Sequence, residues 1–138
     1  MKILVTGVNG QLGHDVMNEL AKRNIEALGC GRALTYKGIR RGYAMGTMAY
    51  RQLDITNQRQ VFETIQEYHP DAVIHCAAWT AVDAAEESEN IPKVLVTNVD
   101  GTKYIAEACK EIDAKMIYLS TDYVFDGQGT TPWKPDCK

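Results

Sequence analysis

The 138-residue sequence lacks most of what marks a nucleic-acid, membrane or disulfide-stapled protein. Its 15 Lys and Arg face 18 Asp and Glu, a net charge of −3, so no basic field or aromatic array is present to hold a polyanion. No apolar run approaches the roughly 20 residues needed to span a bilayer. Met1 and Lys2 lead directly into an apolar run that ends on glycine, which is not the pattern of a signal peptide. The cysteines, Cys30, Cys76, Cys109 and Cys137, include no C-x-x-C pair and have no partnered histidine spacing. Reduced structural thiols are therefore expected in preference to a metal or a disulfide. Repeats and low-complexity tracts are absent. Together these absences predict a cytoplasmic protein with no nucleic-acid or membrane partner.

The apolar residues that are present come in short, regularly spaced runs. Lys2–Thr6 reads as a buried strand, Gln11–Arg23 as a helix with Leu12, Val16, Leu20 and Ala21 at helical spacing, and Ile25–Cys30 as a second strand. Arg32–Ala49 has no period and reads as a loop. Arg51–Ile55 reads as a third strand and Asn57–Tyr68 as an amphipathic helix capped by Asn57 or Thr56 and stopped by His69-Pro70-Asp71. Ala72–Cys76 is the expected fourth strand, followed by a mixed acidic stretch. Val94–Ile112 then reads as one long helix, with Val96, Val99, Ile105, Ala106, Cys109 and Ile112 near one face. Lys115–Ser120 is the fifth strand, before a turn-rich tail. Strands alternating with helices predict an α/β fold, a doubly wound parallel sheet of the Rossmann type in one domain. Ligands of such sheets lie at the carboxyl ends of the strands.

One such end carries Gly7-Val8-Asn9-Gly10-Gln11-Leu12-Gly13. Gly7 lets the chain turn out of the strand, Gly10 lets backbone approach a phosphate, and Gly13 lets the helix pack close to the strand. The helix start then presents free N–H groups and the positive end of its dipole to an anion. A glycine pattern alone is weak evidence, and a plain strand-to-helix turn is the simpler alternative. Its position between a strand and a helix favours dinucleotide binding. A carboxylate after the second strand would bind the ribose of NAD. Here Gly29-Cys30-Gly31-Arg32 supplies none, and Arg32 stands where a 2′-phosphate requires a cation, so NADP(H) is favoured over NAD(H). Arg32 as a solvated loop residue is the competing reading. Asp54 can accept from the adenine amino group while Ile55 packs on the ring, although Asp54 could equally cap a helix.

Three further strings follow in order: Cys76-Ala77-Ala78-Trp79-Thr80-Ala81-Val82-Asp83, Asn98-Val99-Asp100-Gly101-Thr102 and Ser120-Thr121-Asp122-Tyr123-Val124-Phe125-Asp126-Gly127. With the glycine loop and Leu53-Asp54-Ile55, the chain resembles the extended short-chain dehydrogenase/reductase family along its whole length. Within that family it is most similar to the reductases of nucleotide-sugar C4 ketones. The resemblance implies that Gly10, Gln11 and Leu12 line the dinucleotide phosphates and that Asp54 and Ile55 flank the adenine. Ala78, Trp79 and Thr80 would lie beside the nicotinamide-side ribose. Trp79 departs from the Tyr or His common there, so its backbone carries that role. Thr121 would be the hydroxyl member of a Thr-Tyr-Lys catalytic set, and Thr121 and Asp122 would touch a nucleotide-sugar substrate. A hydroxyl at the end of the fifth strand suits a carbonyl that develops charge, whereas a polar turn is the plainer account.

The sequence lacks the other two members of that set. No tyrosine among Tyr36, Tyr43, Tyr50, Tyr68, Tyr104, Tyr118 and Tyr123 has a lysine four residues on. The expectation is an NAD(P)-binding domain, residues 1–138, that forms the N-terminal portion of a two-domain reductase, with the substrate domain absent and the catalytic set incomplete. An open sheet edge then favours homo-oligomers. Two alternatives are a related epimerase or dehydratase of nucleotide sugars, and a non-catalytic NAD(P)-binding module. The regulatory beta subunit of methionine adenosyltransferase, which resembles the family, exemplifies the second.

Overall fold

A computed structural model describes residues 1–36, 48–121 and 124–134. Five strands, β1 (Lys2–Thr6), β2 (Glu26–Gly31), β3 (Met48–Gln52), β4 (Ala72–His75) and β5 (Lys115–Tyr118), form one sheet in the order β3-β2-β1-β4-β5. Every pairing is parallel. The chain moves outward from β1 through β2 to β3, then returns to the other side of β1 for β4 and β5. The strand order therefore reverses between β1 and β4, and that point is where a crevice opens in sheets of this kind.

The helices cover both faces because the strands are apolar on both faces. Ile3 and Val5 of β1 and Ala27 of β2 pack with Met17, Leu20 and Ala21 of helix α1 (Gln11–Lys22). Leu4 and Leu28, one residue along in each strand, point the opposite way. They pack with Val61 and Ile65 of α2 (Gln58–Tyr68) and Ile105 and Ala108 of α5 (Gly101–Glu111). Each fully buried aliphatic side chain contributes roughly 1.5–3 kcal/mol, so the two cores make this domain without disulfides. Cys30, Cys76 and Cys109 are free thiols. Among the described residues no helix is long and apolar enough to cross a membrane.

Several sequence-based boundaries move. The third strand lies at Met48–Gln52, three residues earlier than Arg51–Ile55, because its register is set by pairing with Ala27–Gly31. Leu53 and Asp54 follow the strand. Leu12 is not a core residue of α1: the buried face is Gly13, Met17, Leu20 and Ala21, and Leu12 is 51% exposed. The long helix is interrupted. Short helix α4 (Ile91–Leu95) runs into a π-helical turn at Val96–Asp100 and then into α5. Of the residues expected on one face, Val99 (55%) and Ala106 are exposed, while Ile105 and Cys109 are buried. The acidic stretch holds a single-turn helix, α3 (Val82–Ala85). His69 ends α2 as expected, in the left-handed conformation, its N–H donating to Ile65 O at 2.8 Å.

Candidate functional site

A groove of about 1140 Å³ runs along the carboxyl edge of the sheet. Its walls come from the segments that follow all five strands. The volume slightly exceeds the roughly 300–1,000 Å³ usual for small-molecule sites. The sequence-derived residues Gly7, Gly10, Gln11, Leu12, Gly13, Arg32, Asp54, Ile55, Ala78, Trp79, Thr80 and Thr121 all line it. Asp122 lies outside the described residues.

The glycine loop has a steric basis at two positions. Gly7 has φ +70°, and a Cβ there would sit 2.7 Å from Ala77 N. The turn out of β1 thus presses against the turn out of β4. A Cβ at Gly13 would collide with Gly7, at 2.7 Å from its carbonyl carbon, so α1 approaches the loop as closely as backbone permits. Gly10 N–H donates to Gly7 O at 2.9 Å, and Gly10 is the N-cap of α1 without a side-chain cap. Gly10 O accepts from His14 N–H at 3.0 Å, the first bond of the helix. The amides of Gln11, Leu12 and Gly13 have no acceptor among the described residues. Uncapped amides at a helix start, lining a groove, make a ready anion site.

A buried polar relay holds the switch point together. The Thr6 hydroxyl oxygen accepts from the backbone N–H of Cys76 and of Ala77, both at 3.1 Å. Its own proton is then available to His75 Nδ1, 2.7 Å away. His75 Nε2 accordingly carries the ring proton and donates to Thr102 Oγ1 at 3.2 Å. His75 is 2% exposed, and burial pushes its imidazole down to about 4, so the ring is neutral at ordinary pH. The relay thereby ties β1, β4 and the start of α5 behind the groove.

The π-helical turn has a local consequence. Asn98 Oδ1 accepts from Trp79 N–H at 2.8 Å, and Asn98 Nδ2 donates to Trp79 O at 3.1 Å. One side chain thus clamps both backbone groups of Trp79, and the indole N–H donates to Ala81 O at 3.1 Å. The Ala78–Thr80 segment is presented along the groove by this clamp.

After β3, Asp54 Oδ1 accepts from Thr56 N–H at 3.0 Å and Thr56 Oγ1–H at 2.8 Å. This is an Asx turn. The cap of α2 is Asn57, whose Oδ1 accepts from Gln60 N–H at 3.1 Å. The second Asp54 oxygen has no partner among the described residues. Ile55 is 5% exposed and gives most of its side chain to the core beneath α5. Arg32 is exposed at the rim, and its guanidinium forms no hydrogen bond or ion pair among the described residues.

Sequence reasoning passed over Thr6, His75 and Asn98 as site residues. Asn98 stands in the quoted Asn98-Val99-Asp100-Gly101-Thr102 string, which was the available signal for it. Thr6 and His75 read simply as polar residues in apolar strands, and that anomaly was the signal for them.

Comparison with known proteins gives this geometry a setting. The family model for the RmlD substrate binding domain matches residues 1–138. A dTDP-4-dehydrorhamnose reductase of Streptomyces griseus is 37% identical over 133 residues, which are 96% of this chain and 37% of that protein. Methionine adenosyltransferase 2 subunit beta of Pongo abelii is 31% identical over 126 residues, 91% of this chain and 34% of that protein. A crystal structure of dTDP-4-dehydrorhamnose reductase from Bacillus anthracis in complex with NADP superposes with a TM-score of 0.73 at 35% identity. It is matched over 93% of this chain and 39% of that one. The chain thus spans about two fifths or less of the length of these relatives.

Proposed function

The chain belongs to the RmlD substrate binding domain family, and from that premise we propose that its groove holds NADP(H) for the reduction of dTDP-4-dehydrorhamnose at its C4 ketone. The observation that carries the reading is the meeting, in one groove, of uncapped helix amides at Gln11–Gly13 with the Thr121 segment after β5. The residues present fit a dinucleotide. Gly10 presents bare backbone beside the amides, and a Cβ there would be held tightly against Gly7 O at 3.3 Å.

When bound, the dinucleotide supplies the hydride. In this reading the amides of Gln11, Leu12 and Gly13 hold the pyrophosphate, and the Gly7–Gly13 loop excludes water from it. Arg32 takes the 2′-phosphate. The free oxygen of Asp54 accepts from the adenine amino group, with Ile55 beside the ring. Ala78, Trp79 and Thr80 run along the nicotinamide-side ribose, held by Asn98. Thr121 donates a hydrogen bond to the ketone oxygen as negative charge develops, and Asp122 contacts the sugar. Residues 1–138 contain no Tyr-x-x-x-Lys pair to protonate that oxygen, so this stretch by itself reduces no ketone.

The test is calorimetric titration with NADPH and NADH, followed by turnover of dTDP-4-dehydrorhamnose by the intact protein. Binding of NADPH with consumption of the ketone is expected. Failure to bind either dinucleotide defeats the reading. A second reading, a non-catalytic module that acts through a protein partner, is favoured by the likeness to the methionine adenosyltransferase subunit. Cofactor binding without ketone reduction in the intact protein would select it.

A further inference from the structure

The carbonyls of the segment that carries Arg32 are held by donors from outside it, most of them side chains. Gly31 O accepts from Leu53 N–H at 2.9 Å and lies 3.0 Å from the Tyr50 hydroxyl. Arg32 O accepts from Gln52 Nε2 at 2.9 Å. Ala33 O lies 2.5 Å from the Tyr50 hydroxyl. Thr35 O accepts from Asn9 Nδ2 at 3.2 Å. A tyrosine has one hydroxyl proton. Gly31 O already has the Leu53 donor, so that proton belongs to Ala33 O. Burial raises the Tyr50 phenol above its ordinary value, which keeps it a donor.

Asn9 and Tyr50 also meet each other. Asn9 Oδ1 is 3.5 Å from the Tyr50 hydroxyl, and a Cβ at Gly31 would strike that same oxygen. Tyr50 stacks on Tyr36 with ring centres 5.6 Å apart, and the Tyr36 hydroxyl lies 3.0 Å from His14 Nδ1 on α1. The 31–36 segment is thus fastened to the glycine loop, to α1 and to β3 at once. The arrangement has an electrostatic consequence. Carbonyl oxygens turned towards an anion repel it. Those of residues 31, 32 and 33 are directed at donors on or after β3. Arg32 is left as a cation without a partner among the described residues.

We propose that Asn9, Tyr50 and Gln52 are specificity-determining positioning residues: by holding the carbonyls of the 31–35 segment they keep Arg32 in the groove, and so favour a dinucleotide with a 2′-phosphate over one without. The inference rests on the dinucleotide reading of the groove and deepens it. Each of the three acts through the backbone that bears Arg32.

The experiment measures Kd for NADPH and NADH, and for 2′,5′-ADP and 5′-ADP as nicotinamide-free probes, in the intact protein and its Tyr50→Phe, Asn9→Ala and Arg32→Ala variants. In the unsubstituted protein NADPH and 2′,5′-ADP bind more tightly than their counterparts, and Arg32→Ala removes the difference. Tyr50→Phe and Asn9→Ala each narrow the NADPH-to-NADH ratio about three- to tenfold, the effect of one net hydrogen bond, and with Tyr50→Phe the NADH Kd stays within about twofold. Asn9 is exposed, so Asn9→Ala provides the reading should Tyr50→Phe fail to fold. If Arg32→Ala abolishes the preference but the other two change both Kd values equally, or neither, the positioning role is overturned and the cofactor reading stands. An unsubstituted protein that binds both dinucleotides equally well overturns the inference and the role of Arg32. One that binds neither overturns the function proposed above as well.

Discussion

The Thr6 hydroxyl sits 2.7 Å from His75 Nδ1, joining the carboxyl ends of the two strands between which the sheet reverses its order. Because Thr6 already accepts two backbone N–H groups, the geometry requires an unprotonated Nδ1. A second proton on the ring would face a hydroxyl with no lone pair left to offer it.

This relay predicts an acid-limb loss of stability. The folded imidazole is depressed to about 4 from its ordinary 6.5. Above the unfolded value neither state binds the proton, and the neutral ring costs nothing. As pH falls below it, the unfolded chain takes up a proton that the folded chain refuses. Stability therefore falls between about pH 6.5 and 4, by about 3 kcal/mol in all. Urea unfolding across this range checks the slope. His75→Gln should be less stable at pH 7 but should lose this pH-dependent component. An unchanged slope in that variant would assign the effect elsewhere.

The three glycines of the loop should separate folding from binding. Gly7→Ala combines positive φ with a backbone collision and should cost at least about 3 kcal/mol. Gly13→Ala should be similarly damaging, because backbone lies in the way. Gly10→Ala meets a single oxygen at 3.3 Å, a tight contact but not a collision, so its melting temperature should fall less than for the other two while NADPH affinity drops about tenfold or more. Thermal melts paired with titrations decide this. Equal melting losses at Gly7 and Gly10 would contradict it.

Asn98→Ala removes both hydrogen bonds to the Trp79 backbone. A stability loss of about 1–2 kcal/mol is expected, with faster amide exchange at Trp79 and weaker dinucleotide binding. Hydrogen exchange followed by mass spectrometry reads the local effect. Unchanged protection of the 78–80 segment would show that the clamp is dispensable.

Cysteine reactivity provides an independent probe of the groove. Burial pushes the Cys30 thiol up to about 12 and Cys109 to about 11, and raises Cys76 as well. In a Cys137→Ser background, Cys30 and Cys109 should resist a thiol-directed disulfide reagent at neutral pH. Cys76, half-buried on the groove wall, should react slowly, and NADPH should slow it further by about fivefold or more. Labelling at Cys76 that ignores NADPH would count against the placement of the dinucleotide.

Self-association of the 138-residue chain is the remaining expectation from sequence. Strand β5 leaves Ile117 and Tyr118 half-exposed, and the preceding helical region exposes Leu95 and Val99. An uncovered edge of this kind favours pairing with another chain. Sedimentation should show concentration-dependent association, and a monomer at all concentrations would oppose it.

The parts of the fold legible in sequence were those specified by neighbouring residues. Lys2–Thr6 with Gly7 to Gly13 could be read because a buried strand, a positive-φ turn and a close-packed helix start are all local demands on residue type. The α2 cap at Asn57 and the stop at His69-Pro70 were legible for the same reason. The start of β3 was not, because Met48–Gln52 is selected by pairing with β2, some 20 residues away. The interruption of the long helix at Val96–Asp100 was not legible either, because no proline or glycine within those five residues marks the π turn.

The sequence by itself determined that a glycine loop opens a helix at the end of a first buried strand, that Arg32 rather than a carboxylate follows the second, and that Thr121 follows the fifth. Only the tertiary structure decided what holds those residues in place. Tyr50 reaches Ala33 from 17 residues on, Asn9 reaches Thr35 across 26, and His75 reaches Thr6 across 69. Such contacts depend on strand order and on the reversal between β1 and β4. A residue's own neighbours in the chain do not encode which distant carbonyl or hydroxyl the folded sheet will bring within hydrogen-bonding distance of it.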